Sequence, residues 1–355
     1  MKGLRVPGFD DIAKALKYII DLSLGSGAVS GALVPVRGPE GSFPWILASD
    51  TAPLEGAEPL PPVMPVQGAR ALASFTQDPP EGKVLAVMRP CEARASIEVA
   101  KLQQSDLDGT ILLTMDCPGV VPLADLSSDD SLEPDPGDPA SLRPLCRQCT
   151  QFTAAGDISV ARSGEGIYLL PLTEKGRLFA KELGFTGGET ELPEWRARTD
   201  ALIKQREEAA LESHRSIRLE AQGLEGLAAF FSGCVGCRSC RTVCPVCYCR
   251  LCFIDMKDRR SSAADHLARS ASAGAARLVT DTLLFHIGRM SHMSLSCVSC
   301  GMCEDACPSD IPVGRLMSMV SVGTSQLFGY SAGASPDDPL PLTVFEPEEL
   351  HEYED

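Results

Sequence analysis

A chain of 355 residues with a formal net charge of −16 is long enough for two or three domains with ordinary cores. Its acidity argues against nucleic acid as a partner, because such binding depends on Lys and Arg neutralising phosphates. Fifteen cysteines, an odd number and mostly at metal-ligand spacing, point to a reducing compartment rather than a disulfide scaffold.

The N-terminus, Met1 to Asp11, has no apolar core of signal-peptide length, and no later stretch approaches the ~18 uncharged apolar residues of a membrane span. A cytoplasmic protein without a membrane span is therefore expected. Ile12, Ala15, Leu16, Ile19 and Ile20 recur at helical spacing after Asp10 and Asp11, which predicts an amphipathic helix over 10–22 with an aspartate cap. Gly25 to Gly31 breaks that pattern. Ala32–Val36 and Trp45–Leu47 read as short strands, and the Pro-rich stretch 52–66 as an ordered loop.

Lys83–Met88 and Ile111–Met115 are apolar runs of buried-strand length, with a helical segment, Glu92 to Gln104, between them. Strand, helix and strand in so short a space make a βαβ unit, which implies parallel strands and an α/β core. Each strand runs out into a cysteine, Cys91 and Cys117. Ligand sites of parallel sheets collect at such carboxyl ends.

Leu123 to Pro144 is acidic and rich in Pro and Ser, as expected of a surface loop. Cys146-Arg-Gln-Cys149 comes next, and then 156–160 and 164–170 read as a strand pair. Cys91, Cys117, Cys146 and Cys149 are four thiols of one domain. By spacing alone they are either a [4Fe-4S] site or ordinary buried cysteines.

Taken together, these motifs resemble a known family. Pro90-Cys91-Glu92, the strand ending at Cys117, Cys146-Arg-Gln-Cys149-Thr-Gln-Phe152, Gly156-Asp-Ile-Ser159 and Lys175-Gly176 look like the beta subunit of coenzyme F-420-reducing hydrogenases and formate dehydrogenases. The resemblance covers residues 1 to 190. It implies an α/β module carrying FAD beside a third [4Fe-4S] cluster, with Cys91, Cys117, Cys146 and Cys149 as cluster ligands. It also implies Arg89, Pro90, Asp157, Ser159, Gly164, Lys175 and Gly176 as flavin-site residues.

From Glu194 to Leu227 the chain lacks Pro and is rich in Ala, Leu, Glu, Arg and Lys, which predicts a helical connector broken at Gly223. Then come two complete C-x2-C-x2-C-x3-C-P runs, Cys234-Cys237-Cys240-Cys244-Pro245 and Cys297-Cys300-Cys303-Cys307-Pro308. Three thiolates at that spacing suit three corners of a cube, and in two-cluster ferredoxins the fourth ligand comes from the other run. The expected ligand sets are therefore Cys234, Cys237, Cys240 and Cys307 for one cluster, and Cys297, Cys300, Cys303 and Cys244 for the other. Tetrahedral zinc sites are usually built from cysteine or Cys/His pairs, so an evenly spaced third cysteine, present twice, argues against zinc.

The insertion 245–296 holds Cys247, Cys249 and Cys252, either packed near the clusters or forming a further metal site. It also holds an expected helix over 275–293. His286 and His292 on that helix are not at i, i+4, and read as surface or packing residues rather than a zinc pair. Arg238, Arg241, Arg250, Lys257, Arg259 and Arg260 read as a solvated basic surface, with docking as the alternative. Val313 to Leu327 predicts a closing helix. Beyond Gly329 an acidic, Pro-rich tail is expected to be extended, reaching a partner subunit or disordered.

The expected organisation is thus a beta-subunit-like α/β module (1–190) with a parallel βαβ unit and a helical connector (191–222). A two-[4Fe-4S] bacterial-type ferredoxin domain with an insertion (223–328) and an acidic tail (329–355) complete the chain. Clusters exchange single electrons, so the expected function is an electron-transfer subunit of an oxidoreductase such as a formate dehydrogenase or hydrogenase. Its expected partners are a catalytic subunit and a second electron carrier or heterodisulfide-reductase-like subunit. A pure cluster relay without flavin is one alternative, and a redox-sensing or structural iron-sulfur protein is another.

Overall fold

The parallel strands form as expected, because runs of Val, Leu, Ile and Ala with no charge suit strands that are covered on both faces. The computed structural model describes residues 1–76, 81–125, 138–249, 252, 262–274 and 282–345. Most of the acidic loop 123–144, the basic residues from Arg250 to Arg260, the first turns of the helix expected over 275–293 and the last ten residues of the tail lie outside them.

In chain order the elements begin β1 (Lys2–Val6), α1 (Ile12–Gly25), β2 (Gly31–Pro35), β3 (Trp45–Ala48), α2 (Gly68–Phe75), β4 (Val84–Val87), α3 (Pro90–Lys101) and β5 (Thr110–Met115). They continue with α4 (Pro144–Arg147), β6 (Ile158–Ser163), β7 (Gly166–Pro171), α5 (Glu174–Glu182), β8 (Thr190–Glu191), α6 (Pro193–Glu220) and α7 (Gly223–Phe230). The last third contains α8 (Ser239–Thr242), α9 (Ala263–Ala273), α10 (Thr282–Met293), α11 (Met302–Asp305) and α12 (Val313–Phe328).

Among the described residues the strands make one eight-stranded sheet in the order β3-β2-β4-β5-β6-β7-β1-β8. Its centre, β2-β4-β5-β6, is parallel, and β3, β7, β1 and β8 continue it antiparallel. The period of two is visible in β4. Leu85 and Val87 join Leu16, Ile19, Ile20 and Phe179 on one face, while Val84 and Ala86 join Leu72, Ala93 and Ile97 on the other. The βαβ unit therefore has α1 and α5 beneath it, with α2 and α3 above.

The start of α3 fixes the position of Cys91. Pro90 occupies its first turn, where a missing N–H costs nothing, and Glu92 reaches back to accept from the Arg89 and Gly68 amides at 2.8 Å each. Burial pushes the Glu92 carboxyl up, against the Arg89 guanidinium and these amides, which lower it. This cap holds Cys91 at the carboxyl end of β4.

The connector is two helices, broken before Gly223 as expected. Gly223, at φ +69°, starts α7 after the chain leaves α6 at Ala221 and Gln222. The last third packs on the sheet module: Val99 of α3 and Ile217 of α6 share a core with Phe231, Val246, Phe285, Ile311, Val313, Leu316 and Met317.

The tail differs from the expectation of an extended or disordered segment as far as residue 345. Tyr330, Ala332 and Leu340 are buried, and Tyr330 donates to the buried Glu98 carboxylate at 2.6 Å while the Gly333 amide donates to it at 2.7 Å. Arg94 donates to the Ala332 carbonyl at 2.5 Å. A buried carboxylate on α3 needs such partners, and this segment supplies them.

Candidate metal centres

Each ferredoxin-type run folds around its cysteines in the same way. Gly236 and Arg238 flank Cys237 at φ +69° and +64°, and Ser299 and Gly301 flank Cys300 at +55° and +83°. After each comes a single helical turn, α8 and α11, carrying the third cysteine. Left-handed backbone on both sides of a residue turns successive side chains toward one point, and the repetition of a conformation that Arg and Ser adopt only at a cost marks it as required by the site.

Each fourth cysteine bears electrostatically on the third cysteine of the other run. The thiols of Cys234, Cys237 and Cys307 all act electrostatically on Cys240. Cys244 acts with Cys297 and Cys300 on Cys303. Burial pushes Cys297 up to about 11 and Cys300 up to about 12. So many buried thiolates cannot coexist without positive charge among them, which is the environment that iron supplies. The donor set thus fits two four-iron clusters. Among the described residues no three His, Cys, Asp or Glu side chains converge on the point that one metal ion would occupy. A cube offers each thiolate its own iron and makes no such demand.

The third quartet also comes together. Cys91, Cys117, Cys146 and Cys149 line one pocket with Met64, Val120 and Phe152. Cys91 rides on the first turn of α3, Cys117 leaves β5, and Cys146 and Cys149 belong to α4 and the turn after it. Burial pushes Cys149 up to about 11, with Cys146 and Cys117 adding to it. Arg89 donates to Cys117 Sγ at 3.1 Å and to the Gly119 carbonyl at 3.2 Å. From the connector, Arg206 donates to the Cys149 carbonyl at 3.1 Å, its guanidinium 4.6 Å from the Phe152 ring centroid. The chemistry of this donor set fits a third cluster. Cys300 also lines the pocket, so this quartet adjoins the second ferredoxin run.

The residues expected around a flavin are not brought together as a set. Arg89, buried against Cys117, and Pro90, in the thiol pocket, sit at the carboxyl end of β4. Gly164 closes the β6–β7 turn at φ +56°. Asp157, Lys175 and Gly176 gather instead at the amino end of β6. There Asp157 accepts from the Leu112 amide at 2.9 Å and from the Thr173 hydroxyl at 2.8 Å, and Lys175 donates to the Leu107 carbonyl at 2.8 Å. A Cβ on Gly176 would lie 1.9 Å from the Asp157 carbonyl oxygen. Ser159 is fully buried in β6 with its hydroxyl unpartnered. The seven do not fit one flavin cradle.

Sequence reasoning missed a set of buried basic residues. Arg143, 1% exposed, meets Asp305 at 2.6 Å and the Cys300 carbonyl at 3.1 Å, tying α4 to α11. His286 is buried, stacked on Phe231 at 3.8 Å, with Nε2 3.5 Å from Cys234 Sγ. Burial pushes it down to about 3, so it is a neutral packing residue in contact with a thiol rather than a surface one. Arg289 lies one turn beyond it. The available signal was spacing: Arg94 stands three residues after Cys91, and Arg289 three after His286, on faces that helices turn inward. Burial pushes Cys247 up to about 11, with Cys244 and Cys252 adding to it, and Cys249 is exposed.

The fold and site define a mixed α/β protein carrying a dicluster module, and comparison with known proteins agrees. Residues 230–311 match the 4Fe-4S dicluster domain family. The chain is 24% identical over 380 residues to the F420-dependent formate dehydrogenase subunit beta of Methanocaldococcus jannaschii, covering 93% of this chain and 92% of that one. It is 26% identical over 381 residues to the F420-dependent formate dehydrogenase 1 subunit beta of Methanococcus maripaludis, with the same coverage. The resemblance drawn from residues 1 to 190 is borne out, and it extends through the dicluster domain. A chain of the F420-reducing [NiFe] hydrogenase complex from Methanosarcina barkeri superposes with a TM-score of 0.45 at 13% identity, over 59% of this chain and 86% of that chain. No helix among the described residues is long and apolar enough to cross a membrane.

Proposed function

We propose that this chain is the electron-transfer subunit of a multi-subunit, formate-dehydrogenase-type oxidoreductase working in a reducing cytoplasm. Cys234, Cys237, Cys240 and Cys307 would hold one [4Fe-4S] cluster, Cys297, Cys300, Cys303 and Cys244 the second, and Cys91, Cys117, Cys146 and Cys149 the third. Such clusters, when bound, exchange single electrons. The observation that carries the reading is Cys300, which belongs to the second quartet and also lines the pocket of the third. The second and third thiol quartets therefore adjoin, which supports reading the three as one row. At the other end of the row Cys237 is exposed, beside Val235 at 65% exposure, a port for a protein partner.

The chain's own residues do the rest. Apolar side chains from α3, α6, α10 and α12 exclude water from the thiols, and buried arginines offset their charge. The names of the relatives suggest formate oxidation by a catalytic partner as the electron source. They also suggest F420 as the other terminus, with a heterodisulfide-reductase-like subunit as the alternative. Delivery to F420, a two-electron hydride acceptor, would need a flavin converter. The split of Arg89 and Pro90 from Asp157, Lys175 and Gly176 favours instead a relay without flavin, and hence a one-electron acceptor. A protein with FAD would add a one-electron to two-electron converter.

The test is anaerobic. Mixed with a formate dehydrogenase catalytic subunit and formate, the chain's visible absorbance should bleach to the level that dithionite produces. Bleaching by dithionite alone would contradict the formate-coupled role. Acid extraction that releases FAD would overturn the relay without flavin.

A further inference from the structure

Among the described residues, Arg289 is the most enclosed cation of the last third. It sits on α10 at 3% exposure, and one of its nitrogens, Nη2, donates to the Cys240 carbonyl at 3.2 Å. Its Nε and Nη1 are buried with no acceptor among the described residues. A guanidinium carries five donors and stays charged, so leaving two nitrogens unsatisfied in an apolar core is costly. Protein interiors do not normally retain such groups without a partner.

The surroundings identify the missing acceptor. Phe285 packs against the guanidinium at 5.8 Å from its ring centroid. The thiols that act on it are Cys240, from the first quartet, Cys303 and Cys244, from the second, and Cys247. Burial works against the Arg289 cation, but these thiolates outweigh it and raise its affinity for the proton. The group thus faces both ferredoxin-type sites, with free N–H donors.

We infer that Arg289 is a potential-setting residue shared by the two clusters of the dicluster domain, its free Nε–H and Nη1–H donors directed at cluster sulfur. Each cluster gains one negative charge on reduction. A fixed cation and hydrogen bonds to sulfur favour the reduced form and raise its potential. One residue placed between two sites shifts both potentials in the same direction. α10, which lies within the insertion between the cysteine runs, is thereby an electrostatic element of the relay. Arg289 touches no substrate, so it is a positioning residue in the electrostatic sense.

The inference rests on the dicluster reading of residues 230–311. The wild-type protein must contain that module's iron before the variants bear on Arg289. Full-length Arg289→Gln, Arg289→Met and Arg289→Lys, purified anaerobically, are compared by iron and sulfide content and by EPR-monitored redox titration. In the Gln and Met variants both dicluster potentials should fall by enough to shift the reduced-to-oxidised ratio at fixed potential about tenfold, or 59 mV for one electron. The third cluster should stay unchanged, and the Lys variant should lie closer to wild type. Unchanged potentials in fully loaded Gln and Met variants would overturn the inference, as would a fall in only one of the two. Loss of iron from both charge-free variants, with Lys retaining it, would assign Arg289 to cluster assembly and overturn it as well.

Discussion

Replacing Asp305 by Asn should unlock the sheet module from the dicluster domain. Asp305 is the counter-ion of Arg143, whose side chain is 1% exposed at a distance of 2.6 Å, and it also accepts from the Leu123 amide at 3.1 Å. At an effective dielectric near 20 the lost attraction is roughly 6 kcal/mol. The Asn carbonyl keeps one neutral hydrogen bond worth about 1 kcal/mol, which leaves about 3–5 kcal/mol, the range for breaking a buried pair. With an unfolding entropy of about 2.1 cal/mol/K per residue, a chain of this length loses about 4–7 °C in Tm. Anaerobic thermal unfolding, followed by near-UV circular dichroism and by iron release, reads this shift. The Arg143→Met, Asp305→Leu double variant should regain most of it, because no charge remains buried. A shift below about 1 °C for Asp305→Asn would refute the reasoning, since the pair would then contribute no more than a surface contact.

Further substitutions test other parts of the structure. Gly176→Ala puts a Cβ 1.9 Å from the Asp157 carbonyl, a backbone atom that cannot swing aside, so it should destabilise by at least about 1–3 kcal/mol in the same unfolding assay. Cys307→Ala should damage the same EPR signal as Cys237→Ala, and Cys244→Ala the same signal as Cys300→Ala. If Cys307→Ala instead resembles Cys300→Ala, the two runs are independent sites.

What the sequence made legible was whatever is encoded locally or in a strict repeat. The two cysteine runs identify their chemistry because the spacing is itself the geometry of a cube, and 83–115 identifies a βαβ unit because uncharged strands flank a helix. Pairing between distant segments was not legible. β1 is a five-residue strand that acquires its place only by pairing with β7 and β8, and nothing near Lys2 announces that. Glu98 and Arg94 look like surface charges of a helix. They are buried because residues 330–333, more than two hundred positions away, cover them. The residues expected around a flavin show another limit. Asp157 and Gly176 form a motif because a strand, a turn and a helix start must pack closely, which is a structural need that a motif alone does not distinguish from a ligand site.

The central claim is that three thiol quartets form one row of clusters, and iron with acid-labile sulfide per chain in anaerobically purified protein tests it most directly. The account predicts about 12 irons and a matching amount of sulfide, four for each quartet, with Cys91, Cys117, Cys146 and Cys149 protected from alkylation. About 8 irons in undamaged protein, with those four cysteines open to alkylation, would contradict it, because the row would end at Cys300.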